Sequence, residues 1–342
     1  MSRVLVAMSG GVDSAVTAAL LKQEGHEVTG VTLKLWGGPQ DQGCCSVSDV
    51  DDARRVAQQL DVAHFVFNYG DEFDEHVVRP YVVAHASGLT PNPCIECNRH
   101  IKFDALLDRA RRLGFDALAT GHHARIVQTD GGLRIARGVD ETKDQSYVLY
   151  MISQDDLEML KFPVGEMTKP QVRELAGNLG LRSATKPDSQ DVCFITASEG
   201  RARFLSDRLD LHPAEIVDTE GKTLGSVDAV ELVTIGQRKG LDLGGNAERT
   251  YAVNVDVPSR RVVVGGAQDL LSQTVGLTNH TWVGQPHVGL IDAQISAHGE
   301  PAAAQLNSDG SLRWVETRKK VAPGQAVVFY LNDAVVGGAT AS

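Results

Sequence analysis

Cysteine is scarce in this sequence, with 5 among 342 residues, far below the density of a small disulfide-stapled scaffold. Metal, redox or catalytic use is therefore the expectation for some of the five, and packing for the rest. Long apolar runs are missing too. None approaches the roughly 20 residues that span a bilayer. The opening run from Arg3 to Met8 meets two glycines and is too short for a secretory h-region. Membrane partners are thereby excluded and a cytoplasmic location is expected. A basic excess is also absent: the net charge is -11, a poor electrostatic match for nucleic acid. The imbalance is uneven, however. Residues 1–90 hold 6 basic and 12 acidic side chains, whereas residues 91–208 hold 17 of each. Any polyanion contact is expected in that middle stretch, at Arg99 to Lys102, at Arg109, Arg111 and Arg112, or at Arg201 to Arg208. What is present is the composition of a globular chain, 42% hydrophobic and 23% charged, long enough for two or three cores.

The first 121 residues alternate strand and helix. Arg3 to Met8 reads as a buried strand, and Asp13 to Glu24 as a helix stopped by Gly25. Val28 to Trp36 is the next strand. Ser48 and Asp51 resemble a capping box for a helix from Val50 to Leu60. His64 to Asn68, a helix from Lys102 to Leu113, and Ala117 to Thr120 complete a β-α-β alternation, which implies a parallel sheet covered by helices on both faces. Ligands are expected at the carboxyl ends of its strands. Past about residue 205 short strands take over, at Glu231 to Ile235, Tyr251 to Val257, Arg261 to Val264, Gln325 to Tyr330 and Ala334 to Gly337. They read as a small barrel or sandwich after a smaller linker domain. The expected divisions are 1–204, 205–267 and 268–342.

The strongest chemical signal is Ser9-Gly10-Gly11-Val12-Asp13-Ser14, between a buried strand and a helix. Amides freed by two glycines, the dipole of the following helix and two hydroxyls make an anion cradle. Two glycines alone would mean only a turn. Asp13 shifts that balance, because a carboxylate beside a phosphate needs a cation, which points to Mg²⁺. No Gly-Lys-Ser/Thr follows, so the loop is not a Walker A loop. It resembles the PP-loop of ATP pyrophosphatases.

A second signal is Cys94-Ile95-Glu96-Cys97, followed by Arg99 and Lys102. Paired thiols beside basic side chains at a helix start are expected to be partly thiolate, the reactive form. Cys94, Cys97, His100 and the distant Cys193 could equally supply a structural zinc site, and Cys94, Cys97 and Cys193 an iron-sulfur cluster. Cys193 follows the polar run Asp188 to Asp191, which places it at a loop edge. Cys44 and Cys45 are assigned to packing.

The stretches AMSGGVDS (7–14), TPNPCIECN (90–98), ATGHHAR (119–125), KDQSY (143–147), FPVGEMTKPQVR (162–173), DSQDVCFI (188–195) and TIGQRKGL (234–241) resemble the tRNA-specific 2-thiouridylase family in order and spacing. The resemblance covers nearly the whole chain. It implies an α/β fold: a parallel-sheet PP-loop domain of the adenine nucleotide alpha hydrolase type, a small central domain and a carboxyl-terminal β-barrel.

The resemblance also implies roles. Ala7, Met8, Ser9, Gly10, Gly11, Val12, Asp13 and Ser14, with Leu33 and Gly121, would bind ATP with Mg²⁺. Asn92, Pro93, Cys94, His122, Lys143, Asp144, Gln145 and Gln325 would touch the tRNA at its anticodon wobble uridine. Cys97 would be the nucleophile and Cys193 the persulfide carrier, charged by a cysteine desulfurase or a sulfur-relay donor. The pair would end as a disulfide for a reductant to open, or the thiols would hold a cluster. Three positions depart from the family pattern: Cys94 stands where many members carry Asp, His123 replaces a usual Tyr, and Ala297 to Glu300 stand where many present Arg-Tyr. Two other classes compete. A PP-loop amidotransferase or synthetase leaves the thiols idle, and a non-catalytic zinc or redox RNA-binding module leaves Asp13 idle.

Overall fold

The computed structural model describes residues 1–35, 47–188, 192–195, 200–241, 243 and 249–342. Trp36, Cys44, Cys45, Ser189, Gln190 and Asp191 fall outside the described residues.

The first seven strands are β1 (Arg3–Ala7), β2 (Glu27–Lys34), β3 (Ala63–Asn68), β4 (Ala117–Thr120), β5 (Ala124–Thr129), β6 (Gly132–Arg137) and β7 (Leu160–Lys161). Five of them form a parallel sheet in the order β3-β2-β1-β4-β7. The period-2 alternation of side chains explains why both faces are covered. Val4 and Val6 of β1 enter one core with Val12, Val16 and Ala19, while Leu5 enters another with Ile101, Leu106 and Leu118.

Helix α1 (Val12–Gln23) ends where expected: the Gly25 N–H donates to the Lys22 carbonyl, and φ there is +82°. Helix α2 (Val47–Gln59) differs from expectation. Ser48 and Asp51 both lie inside it, and Asp is a poor substitute for the Glu or Gln that closes a capping box. The helix expected from Lys102 instead starts at Pro93 and runs continuously to Arg112. Its first proline is favoured at N1, so Pro91-Asn92-Pro93 looks like a loop yet opens a helix, with the Asn92 side chain accepting from the Cys94 N–H at 3.0 Å. The Cys97–Leu106 segment has the wider π winding, a departure often found at functional sites.

The central unit is a four-stranded sheet of β8 (Ala214–Val217), β9 (Thr223–Val227), β10 (Tyr251–Asp256) and β11 (Arg261–Gly265), in the order β10-β11-β8-β9. The strand expected at Glu231 to Ile235 is instead a tight turn at Val230–Leu232. There the buried Glu231 carboxylate accepts from the His212 backbone N–H at 3.0 Å and meets its ring Nδ1 at 2.8 Å, partners that an extended strand would not bring to it.

The last seven strands are β12 (Leu271–Val275), β13 (Leu277–Trp282), β14 (Gly289–Gln294), β15 (Ala302–Leu306), β16 (Leu312–Lys319), β17 (Ala326–Leu331) and β18 (Ala334–Ala341). They share a sheet with the β5-β6 hairpin, which joins through the pair Ala334 and Ala136. Strand β17 packs on both sides: Val327 and Phe329 fill the barrel core, while Ala326, Val328 and Tyr330 enter the core of the first unit. Tyr147 Oη donates to the Ala326 carbonyl at 2.9 Å across that seam. The barrel thereby packs against the first unit through one face of β17.

Candidate active site

At the carboxyl ends of β1 and β4 a cavity of about 700 Å³ opens. The β1-α1 loop forms its floor. Gly10 has φ +73°, and a Cβ there would lie 2.5 Å from the Asp49 carbonyl oxygen, so backbone shape and space both require glycine. Gly121, just past β4, presses on the start of α1: a Cβ would come within 2.6 Å of the Ser14 nitrogen and 2.8 Å of the Asp13 carbonyl carbon. Ser14 Oγ accepts from the Ser9 N–H at 3.2 Å and donates to the Gly11 carbonyl at 3.1 Å. The loop is thus held open as a ring of backbone donors at a helix start, which suits phosphate.

Asp13 does not face solvent alone. Lys169, at the first position of the helix Lys169–Asn178, places Nζ 2.7 and 2.8 Å from its two carboxylate oxygens, and His123 Nε2 lies 3.1 Å away. Burial pushes the Asp13 carboxyl up, but the hydrogen bonds from His123 and Lys169 and the lysine charge outweigh it, and the net displacement is downward. The same ammonium is 2.9 Å from Asp188, which also holds Lys143 at 2.7 Å and Arg173 at 2.8 Å. Burial raises the Asp188 carboxyl, yet these cations hold it well below the carboxylate range. Lys169 was not singled out from the sequence. Its signal was a lysine preceding Pro170 at a helix start, which reads as an ordinary exposed position until the fold buries it.

All the residues assigned to ATP except Gly10 line this cavity, as do all those assigned to tRNA and the thiols of Cys94, Cys97 and Cys193. Cys97 is buried, and Cys94 and Cys193 are half-buried. Not every side chain is presented outward. Asp144 turns away, accepting from the Gly138 and Ser146 N–H groups at 3.0 and 3.1 Å and from Ser146 Oγ at 2.7 Å. Gln325 accepts from the Ala322 N–H at 3.0 Å, and Gln145 accepts from the His123 N–H at 2.9 Å. These three shape the wall. His122 is buried against Thr120 Oγ1 at 2.6 Å, and burial drives its pKa well below the usual histidine value, so its ring is neutral.

The zinc set does not assemble as expected. His100 is absent from the cavity wall: its Nε2 meets Glu96 at 3.4 Å and its ring stacks on His76. Among the described residues no group of three or more His, Cys, Asp or Glu side chains is arranged to hold a metal ion. The basic helix face is also largely occupied, with Arg109 stacked 3.7 Å from the Phe67 ring centre, Arg111 paired to Asp156 at 2.6 Å and Arg112 to Asp108 at 2.6 Å. Lys102, Lys143 and Lys186 line the cavity instead.

Family models match three consecutive segments. Residues 2–197 match the tRNA methyl transferase HUP domain, 202–266 the tRNA methyl transferase PRC-barrel domain and 272–341 the aminomethyltransferase β-barrel domain. A tRNA-specific 2-thiouridylase of Chloroflexus aggregans is 45% identical, over 99% of this chain and 98% of its own length. The one of Herpetosiphon aurantiacus is also 45% identical over the same shares, and that of Geobacter metallireducens is 42% identical over 98% and 95%. With the PP-loop and three thiols facing one cavity and three domain models matched in order, the chain belongs to the tRNA-specific 2-thiouridylase family.

Proposed function

We propose that this chain is a tRNA sulfurtransferase that uses ATP to replace the 2-oxo group of the anticodon wobble uridine by sulfur. The observation that carries the reading is the opening of a phosphate-binding loop and of Cys94, Cys97 and Cys193 onto one cavity. An amidotransferase would need the first and leave the thiols without use.

The uridine O2 attacks the α-phosphorus of ATP and pyrophosphate leaves, so that the oxygen becomes part of an AMP leaving group. The loop amides receive the phosphates, and Lys169, already beside Asp13, neutralises charge that develops there. Asp13 would be the residue of this loop to hold Mg²⁺, which would supply charge compensation for the leaving pyrophosphate. The terminal sulfur of a persulfide on Cys193 then attacks C2 and the C2–O bond to AMP breaks. Cys97 thiolate attacks Cys193 Sγ, the S–S bond to the transferred sulfur breaks, and its electrons complete the thiocarbonyl. A Cys97–Cys193 disulfide remains. A two-electron dithiol reductant opens it, and a cysteine desulfurase or sulfur-relay protein recharges Cys193. Among the described residues the three thiols and their neighbours are not arranged to hold a metal ion.

His122, held neutral by burial, adds no charge of its own beside the incoming phosphates. The reaction sits in the cytoplasm, where its tRNA is, and no described helix is long and apolar enough to cross a membrane. The test is product analysis. Purified protein with tRNA, ATP and a persulfide donor should give 2-thiouridine, AMP and pyrophosphate in equal amounts, and tRNA from cells lacking the protein should lose wobble 2-thiouridine. ATP cleavage that depends on ammonia rather than on sulfur would defeat the reading.

A further inference from the structure

A second cavity, of about 460 Å³, lies between the turn of the β5-β6 hairpin and the loop that joins β13 to β14. It is remote from the thiols. Ala326 lines the first cavity and Leu331 lines the second, at opposite ends of β17. Five residues of strand separate them by roughly 17 Å.

Arg134 is the unusual member of its wall. Its side chain belongs to a residue only 8% exposed, yet among the described residues it makes two hydrogen bonds, both from Nη1, to the Leu133 carbonyl at 2.9 Å and Gln154 Oε1 at 3.2 Å. No ion pair among the described residues includes it, and burial pushes its pKa down with no carboxylate to offset the effect. A buried guanidinium without a counter-ion is costly. Two glycines make room for the guanidinium itself: a Cβ on Gly284 would lie 2.6 Å from Nη2, and one on Gly131 2.9 Å. Across the same cavity His287 Nε2 is buried and has no hydrogen-bond partner in the described structure. A guanidinium nitrogen and an imidazole nitrogen from separate elements thus belong to the lining of one cavity, and neither Nη2 nor Nε2 has a protein acceptor among the described residues.

We propose that this cavity is a second anion site that takes a phosphate ester, with Arg134 Nη2 and His287 Nε2 as its donors. The planar guanidinium fork matches phosphate oxygens, and a cavity of this size admits an ester carrying a substituent, where a bare halide would leave most of the space to water. Two sources share that chemistry, a backbone phosphodiester of the tRNA and a free phosphomonoester. Only the first of them rests on the function proposed above.

The probe is inorganic phosphate, added at constant ionic strength to the full-length protein whose PP-loop is already filled with α,β-methylene ATP. The imidazole resonances are followed by NMR, with His287 assigned through His287→Gln. A saturable shift of the His287 signal is expected in the wild type, and at least a tenfold weaker response in Arg134→Gln that keeps the wild-type circular dichroism spectrum. A linear, unsaturated response in the wild type overturns the site, and that measurement stands even if Arg134→Gln fails to fold. The salt dependence of tRNA binding then separates the sources. A slope of log K against log salt smaller by about one in Arg134→Gln assigns the ester to the tRNA backbone, and an unchanged slope assigns the site to a free phosphomonoester. Neither readout requires turnover, so failure of the thiolation assay and failure of this site are distinguishable.

Discussion

Lys169 stands with its ammonium 2.7 Å from Oδ1 of Asp13, and that contact ties the phosphate loop to the segment that leads to Cys193, because the same ammonium reaches Asp188 at 2.9 Å. One ammonium thus bridges two carboxylates that line the same cavity. Lys169→Met keeps most of the side-chain volume and removes the charge. tRNA-dependent release of pyrophosphate should fall by about 10²-fold or more, as expected for the loss of a preorganised charge at a transferring phosphoryl group. Retained far-UV circular dichroism would show that the fold survives. A wild-type rate in this variant would remove Lys169 from the chemistry.

The same pair predicts a pH signature. The Asp13 and Asp188 carboxyls both lie below their ordinary value of 3.8. A carboxyl depressed in the folded state contributes stability that is complete above its unfolded value and is lost as pH falls through the folded one. The difference in unfolding free energy between wild type and Lys169→Met should therefore be flat from neutral pH down to about pH 5 and shrink steadily below about pH 4. Urea denaturation at a series of pH values measures it. A difference that persists unchanged to pH 2 would mean that packing of the lysine stem, and not its charge, is what the variant loses.

Gly121→Ala tests the shape of the loop separately from its charge. The added methyl would meet the Ser14 nitrogen at 2.6 Å, a backbone atom that cannot yield without moving the start of α1. ATP binding should weaken at least tenfold, while tRNA binding should stay within about twofold if the methyl displaces only the start of α1. Equilibrium dialysis with labelled nucleotide and filter binding with tRNA measure the two. Equal loss of both would mean that the substitution disturbs the cavity as a whole.

The parallel sheet and the phosphate loop were legible because their signals are local. Buried runs such as Val4 to Val6, a helix stop at Gly25 and the hexapeptide from Ser9 to Ser14 declare themselves within a few residues. The cysteines stood out in the sequence as candidate reactive groups, but their surroundings did not, because Cys97 and Cys193 come to one cavity only through the tertiary fold. Lys169 and Asp188 were missed as a site for the same reason: each looks like ordinary surface charge until the helix Lys169–Asn178 docks beside Asp13. The strand expected at Glu231 failed because a short apolar run such as Leu232-Val233 is consistent with both a strand and a tight turn. What decided between them was the partner of one buried carboxylate, His212. The β5-β6 hairpin gave no sign that it joins the barrel sheet, since its pairing with β18 spans nearly 200 residues of sequence.

The thiols give the last prediction, which separates three variants by what each should retain. Cys193→Ser should lose both persulfide and 2-thiouridine, because a hydroxyl cannot hold sulfane sulfur and is a far weaker nucleophile than a thiolate. Pyrophosphate release should survive in it, since the phosphate loop is untouched. Cys97→Ser should still accept a persulfide on Cys193, seen as one added sulfur in the intact mass before tRNA is supplied, and with tRNA and ATP should stall as a covalent adduct in which the transferred sulfur joins Cys193 Sγ to C2 of the uridine, a band that a thiol reductant releases. Cys94→Ser decides between mechanisms. Its backbone N–H still donates to Asn92, so the helix start that positions Cys97 is preserved. In the two-thiol route the variant should keep activity within about tenfold of wild type, the loss expected from a neighbour that only tunes the site. A metal-dependent route would lose a ligand and fail by several orders of magnitude. Near-complete inactivity of Cys94→Ser, together with stoichiometric iron or zinc in anaerobically purified wild type, would overturn the persulfide and disulfide cycle in favour of a cluster.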